Sequence, residues 1–191
     1  EFKNGLFGGT AIPLGDVDSD GHDDFAVENC GASSEGGGRV ELFKGRSDFL
    51  SPSRLDELSP LHFTGLVGQK VGKTSSYFGC VLAAGDVNDD GHIDLFMSST
   101  GENLETSEAI PKMNGIVFLA LGPLNEGFDV TKDALRLYSA PAVASAGDRL
   151  GRYLASGGDV NGDGWDEFAV SSLNGDDSVG FGGGAVHLMY G

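Results

Sequence analysis

Three stretches of this chain share one nine-residue pattern: D-V-D-S-D-G-H-D-D at Asp16–Asp24, D-V-N-D-D-G-H-I-D at Asp86–Asp94, and D-V-N-G-D-G-W-D-E at Asp159–Glu167. Side-chain oxygens recur at positions 1, 3, 5 and 9, with glycine at position 6. Hard cations such as Ca2+ take six to eight oxygens at roughly 2.3–2.6 Å, and a tight loop supplies them by alternation. The glycine permits the turn because it adopts positive φ without steric cost. One copy alone would read as a solvated acidic loop; three in register read as calcium loops. The expected ligands are Asp16, Asp18, Asp20 and Asp24; Asp86, Asn88, Asp90 and Asp94; and Asp159, Asn161, Asp163 and Glu167. His22, His92 and Trp165, at position 7, would contribute backbone carbonyls, giving three Ca2+ sites.

The loops are not EF-hands, which require a bidentate Glu at position 12 and a helix on each side. Position 12 is Val27, Met97 and Val170. The same absence excludes dockerin-like pairs, and thrombospondin-type arrays space their loops more densely. Each loop is followed by a short apolar run, F-A-V, L-F-M or F-A-V, of residues that suit strands. Each is preceded by another, A-I-P-L-G, V-L-A-A-G or Y-L-A-S-G. The acidic stretch is therefore expected to connect two strands of a hairpin.

Many short apolar runs punctuated by turn residues predict an all-β chain. The 32 glycines far exceed the usual share of about 7%, yet they flank strands and turns and form no low-complexity tract. The longest helical candidate, Leu50–Leu61, is interrupted by Pro52 and Pro60. The net charge of −17 argues against nucleic acid and anionic membrane surfaces as partners. Three bound Ca2+ would offset six of those charges, so much of the acidity belongs to the proposed sites. No stretch approaches the roughly 20 apolar residues needed to cross a bilayer, so no direct membrane insertion is expected. No N-x-[ST] sequon is present.

The loops recur at spacings of 70 and 73 residues, and the flanking sequence recurs with them. Phe7–Gly8, Phe78–Gly79 and Leu150–Gly151 precede the loops. Glycine-bounded strands follow at Gly36–Gly45, Asn114–Gly122 and up to Gly191, alternating through Val40 and Leu42, Val117 and Leu119, and Val186 and Leu188. A further strand is expected at Leu61–Gly65 and Leu135–Ser139. Four strands per unit at a fixed period predict β-propeller blades.

The Phe–Gly pair, the D-x-[DN]-x-D-G-x-x-[DE] loop and the closing glycine-bounded strand resemble FG-GAP repeats, which build the β-propeller of integrin α subunits and related surface proteins. The resemblance covers nearly the whole chain in three copies. It departs from the family where Glu28-Asn29-Cys30, Ser98-Ser99-Thr100 and Ser171-Ser172-Leu173 replace G-A-P, and where Leu150 replaces phenylalanine. Glu167 adds a methylene at the third site, which predicts different or weaker binding there. The expected fold is thus all-β, with three four-stranded FG-GAP units forming part of a larger or dimeric propeller. The expected blades span about 6–65, 77–139 and 149–191. The third lacks a fourth strand, and segment 1–5 is positioned to complete it. Three blades are fewer than the usual four to eight, so either two chains join as a six-bladed dimer or further blades come from the parent chain. The opening residue, Glu1 rather than Met, favours the second.

Strand order would place the acidic loops on one propeller face, and the 2–3 and 4–1 loops (31–38, 101–114, 174–183, 66–77, 140–149) on the other. The resemblance implies that the latter is the ligand face, meeting a protein or carbohydrate. Cys30 and Cys80 fall at strand ends on that face in neighbouring units; a disulfide and two buried thiols are both consistent readings. V-G-Q-K-V-G-K-T at Val67–Thr74 encloses three residues between its glycines where a phosphate loop needs four. G-F-G-G-G-A at Gly180–Ala185 leads into a strand, not a helix. Neither G-x-S-x-G nor H-E-x-x-H occurs, and no catalytic residue can be singled out. The leading expectation is a non-enzymatic, calcium-binding adhesion module, extracellular or at the cell surface. The alternatives are a non-catalytic accessory propeller of a larger secreted enzyme and a structural assembly subunit.

Overall fold

The computed structural model describes residues 6–30, 38–47, 61–64, 78–100, 115–124, 128, 130–138, 149–175 and 183–191. They form three antiparallel sheets that follow one another along the sequence. The first contains β1 (Leu6–Gly15), β2 (Asp24–Cys30), β3 (Arg39–Phe43) and β4 (Leu61–Thr64). The second contains β5 (Phe78–Gly85), β6 (Asp94–Ser99), β7 (Ile116–Ala120) and β8 (Leu135–Tyr138). The third contains β9 (Leu154–Gly158), β10 (Glu167–Gly175) and β11 (Gly183–Met189). Each is a meander in which sequence neighbours pair. The only helix among the described residues is the single turn α1 (Val130–Asp133), between β7 and β8. None is long and apolar enough to cross a membrane.

All three acidic stretches are hairpin connections, as the flanking runs predict. The strands on either side pair at Gly15 with Asp24, Gly85 with Asp94, and Gly158 with Glu167. Segment 1–5, expected to complete the third unit, lies outside the described residues.

Side-chain alternation decides how the sheets pack. In the middle sheet, Leu95, Met97, Ile116, Phe118 and Ala120 share one apolar cluster with Leu14, Ala26, Val40 and Leu42 of the first sheet. The intervening residues Phe96, Val117 and Leu119 point the other way and join Leu150, Phe168 and Val170 of the third. The middle sheet is thus apolar on both faces, and its six-residue β6 is buried throughout. Each large side chain buried in these layers contributes about 1.5–3 kcal/mol. The Phe96 and Phe168 rings lie 4.0 Å apart between centroids. Phe78 meets Phe118 edge-on at 5.6 Å. β1 lies against β5 and β5 against β9, so the first strands of the three sheets are neighbours.

The Phe–Gly and Leu–Gly pairs have a specific seat. Gly79 and Gly151 both adopt positive φ, 68° and 84°. A β-carbon at Gly79 would stand 2.8 Å from a Val40 methyl, and one at Gly151 would stand 2.9 Å from a Val117 methyl. Reciprocally, β-carbons at Gly38 and Gly115 would collide with the backbone of Phe78 and Leu150. Phe78–Gly79 and Leu150–Gly151 each therefore sit in a notch left by the glycine that opens the preceding sheet's third strand.

The outward face of the third sheet differs. Register aligns Val186 with Val40 and Val117, and Leu188 with Leu42 and Leu119. The latter four are 0–7% exposed, whereas Val186 is 73% and Leu188 47% exposed. Tyr190 and Tyr153 are exposed as well.

Candidate metal centre

The three acidic loops share one hydrogen-bond scheme, set by short side chains bonding to the backbone just ahead of them. At position 1, Asp16 accepts from the amides of Asp20 (3.0 Å) and Gly21 (2.8 Å). Asp86 does the same with Asp90 (3.1 Å) and Gly91 (2.9 Å). Asp159 accepts from Asp163 (3.1 Å), Gly162 (2.6 Å) and Gly164 (2.9 Å). At position 3, Asp18, Asn88 and Asn161 accept from the amide of position 5. At position 5, Asp20, Asp90 and Asp163 accept from His22, His92 and Trp165 at 2.9–3.0 Å. The winding needs positive φ twice: at Gly21, Gly91 and Gly164 in position 6, and at Ser19 (61°), Asp89 (51°) and Gly162 (81°) in position 4. The sequence marks the first of these in every copy and the second only in the third.

Position 9 closes the loop. Asp24 accepts from the amides of Val17 (3.0 Å) and Gly45 (2.7 Å), and Asp94 from Val87 (2.9 Å) and Gly122 (2.8 Å). Gly45 and Gly122 are the glycines that end the third strands, and a β-carbon on either would strike the Cβ of His22 or His92. Gly191 stands in the same relation to Trp165. The longer Glu167 reaches further into its loop, accepting from the amides of Val160 (2.8 Å) and Asn161 (3.2 Å) and from the Asn161 carboxamide (3.1 Å).

Electrostatics separates the rim from the base. Asp24 and Asp94 are buried, and desolvation pushes both above the ordinary carboxylate range. Neighbouring loop carboxylates add to that shift, and the amide bonds oppose it. Asp90, at the rim, is lowered, first by the His92 amide. Asp18 is lowered by Lys44, whose ammonium lies 2.9 Å away. Lys44 occupies the register position of Leu121 and Tyr190, so the other two loops have no cation at that position.

In the first loop, Asp16, Asp18 and Asp24 each offer an oxygen, all within 4.8 Å of one another. A carboxylate has about four acceptor sites, so oxygens that already take an amide proton retain capacity for a cation. This donor set, oxygen throughout and rich in carboxylate, fits a hard divalent ion. His22, His92 and Trp165 are exposed, with their amides turned to position 5. Adjacent loops also touch: Asp166, at position 8 of the third, accepts from the Asp86 amide and donates its own amide to the Asp86 carbonyl, both at 3.1 Å. A single copy of the motif gives no sign of that bridge.

Cys80 is disulfide-bonded; the chain's other cysteine is Cys30. The loops expected to carry a ligand face, at 31–38, 101–114, 174–183, 66–77 and 140–149, lie almost wholly outside the described residues.

No family model matches the chain. A 98-residue segment, 51% of the chain, is 36% identical to integrin alpha-IIb of Mus musculus, covering 8% of that protein. The human integrin alpha-IIb gives 36% identity over 100 residues, 52% of this chain and 9% of the relative. The chain thus spans less than a tenth of the length of these relatives, and the likeness extends over about half of the chain itself.

Proposed function

We propose that the chain is a calcium-binding, non-enzymatic recognition module of the extracellular or cell-surface kind, a three-blade segment of an FG-GAP-type β-propeller. The observation that carries this reading is the threefold recurrence of one loop with one hydrogen-bond scheme at the same hairpin turn, with converging carboxylate oxygens in the first copy. Three Ca2+ ions would occupy the sets built on Asp16, Asp86 and Asp159 and offset the charge that backbone amides and, in the first loop, Lys44 now balance. Their role is structural: each would fix a hairpin turn, and in the first two sheets the third strand is already pinned to that turn through position 9.

The adjacency of β1, β5 and β9 suits radial blades whose first strands line a centre. The exposed Val186 and Leu188 suit burial by a further blade, from the same polypeptide or from a second copy. A Cys30–Cys80 bond would staple the first two blades together. The similarity to integrin alpha-IIb supports recognition of a protein ligand, and the loops opposite the acidic turns are where we place it; a carbohydrate ligand is the second candidate.

The test is thermal unfolding with calcium and with excess chelator. Bound ions stabilise by RT ln(1 + [L]/Kd), about 2.7 kcal/mol for a site held at 100 times its Kd. A melting temperature that ignores chelation would rule out the structural calcium role.

A further inference from the structure

We infer that Asp166 joins the second and third acidic loops into one coupled cation-binding unit, while the first loop binds independently. This rests on the calcium reading above and goes beyond it, because it assigns a positioning role to a residue outside the ligand sets.

The peptide groups at Asp86 are held on both sides by one residue. The Asp86 amide donates to Asp166 Oδ2 at 3.1 Å, and the Asp86 carbonyl accepts from the Asp166 amide at 3.1 Å. Asp86 is position 1 of the second loop, and its two carboxylate oxygens organise the amides of Asp90 and Gly91. The placement of Asp166 therefore sets the residue around which the second loop winds. Asp166 follows Trp165, whose amide is tied to the position-5 ligand Asp163 at 3.0 Å. A continuous chain of hydrogen bonds and adjacent residues thus runs from Asp163 in one site to Asp86 in the next. The neighbouring strand end is shaped for it, since a β-carbon at Gly85 would lie 3.1 Å from Asp166 Oδ2.

The first and second loops lack an equivalent link. Position 8 of the second loop is Ile93, whose side chain comes within 4.0 Å of the β-carbon position at Gly15. Among the described residues no hydrogen bond joins those two loops. An isoleucine can transmit packing but cannot hold a peptide group at both ends. Coupling free energies between sites typically amount to about five-fold or more in affinity, which two well-formed bonds to a ligand residue can carry.

The experiment follows the backbone amides of Gly21, Gly91 and Gly164 by NMR during calcium titration of the whole chain. Asp163→Ala cripples the third site. It is expected to weaken calcium binding at Gly91 roughly five- to tenfold and to leave the Gly21 titration unchanged. In an Asp166→Ala background the same lesion should no longer affect Gly91. Asp166→Asn keeps an oxygen acceptor for the Asp86 amide and should preserve the coupling, which separates positioning from mere loss of fold. An unchanged Gly91 titration in Asp163→Ala overturns the inference, as do equal changes at Gly91 and Gly21. Should no loop amide respond to calcium in the parent chain, the calcium reading itself fails, a different outcome from three sites that bind independently.

Discussion

Gly115 passes so close beneath Leu150 that a β-carbon on it would stand 2.5 Å from the Leu150 amide nitrogen. It also holds φ at 77°, where an L side chain is strained. Gly38 has the same relation to Phe78. The Phe–Gly pair and the glycine opening the third strand are thus two halves of one joint: one sheet supplies an apolar residue and a backbone bend, and its neighbour supplies a vacancy.

Substituting that glycine should therefore separate sheets. Gly115→Ala combines a left-handed strain of about 1–2 kcal/mol with overpacking of about 1–3 kcal/mol. A loss of about 2–5 kcal/mol in denaturant unfolding is expected. Gly8→Ala is the contrast: its φ is also positive, at 84°, but no atom lies within 4 Å of the added carbon. It should cost the strain alone, and equal losses at the two positions would refute the joint.

Lys44 lies where a cation would approach Asp18, at 2.9 Å. Calcium at the first loop must compete with it, while the second loop has Leu121 at the same register. Lys44→Leu is expected to tighten the first site by roughly two- to fivefold, the range of an exposed ion pair. Isothermal titration at low salt would read it, with the gain shrinking as salt screens the pair. Weaker binding in the variant would show that Lys44 orders the loop and does not compete.

The loops, their hairpin setting and the closing glycines were legible because their signals are local. Position 1 bonds amides four and five residues ahead, and position 9 returns seven residues to position 2. What escaped reading lies between repeats. Asp166 sits at a position filled by Asp23 and Ile93 elsewhere, and it acts on a backbone 80 residues away. Lys44 carries no mark in the motif; register alone places it over Asp18. The Phe–Gly pair was readable as a family mark, but its physical reason required the opposing glycine of another unit.

Glu28 is buried and its Oε2 has no hydrogen-bond partner. Burial pushes its carboxyl above the ordinary glutamate range, and the bonds from Thr10 only partly oppose this. Between the unfolded and the raised folded value the native state holds a proton that the unfolded chain has released. Stability is thus full below the ordinary range and falls as pH rises through the folded value. Glu28→Gln cannot ionise and should lose that component. Its melting temperature should meet the parent's below the ordinary glutamate range, exceed it as pH rises through the raised folded value, and keep a constant lead above that, in saturating calcium. A parallel offset at all pH values would contradict the assignment.

Leu119 and Leu188 occupy one register position in successive sheets, yet Leu119 is 7% exposed and Leu188 47%. The same substitution should therefore have very different consequences. Leu119→Lys places an ammonium between the second and third sheets with no partner of opposite charge in its apolar cluster. A cost of about 3–5 kcal/mol or more is expected from lost burial and charge desolvation. Leu188→Lys leaves the ammonium in water and should change stability by less than about 0.5 kcal/mol. It should also interrupt the exposed row of Val186, Leu188 and Tyr190, which has the character of an interaction surface. Sedimentation velocity across a concentration series would then show less self-association for Leu188→Lys than for the parent chain. If Leu188→Lys instead unfolded the protein as Leu119→Lys does, the outward face of the third sheet would be covered in solution by the chain itself, and the case for a further sheet packing there would fall.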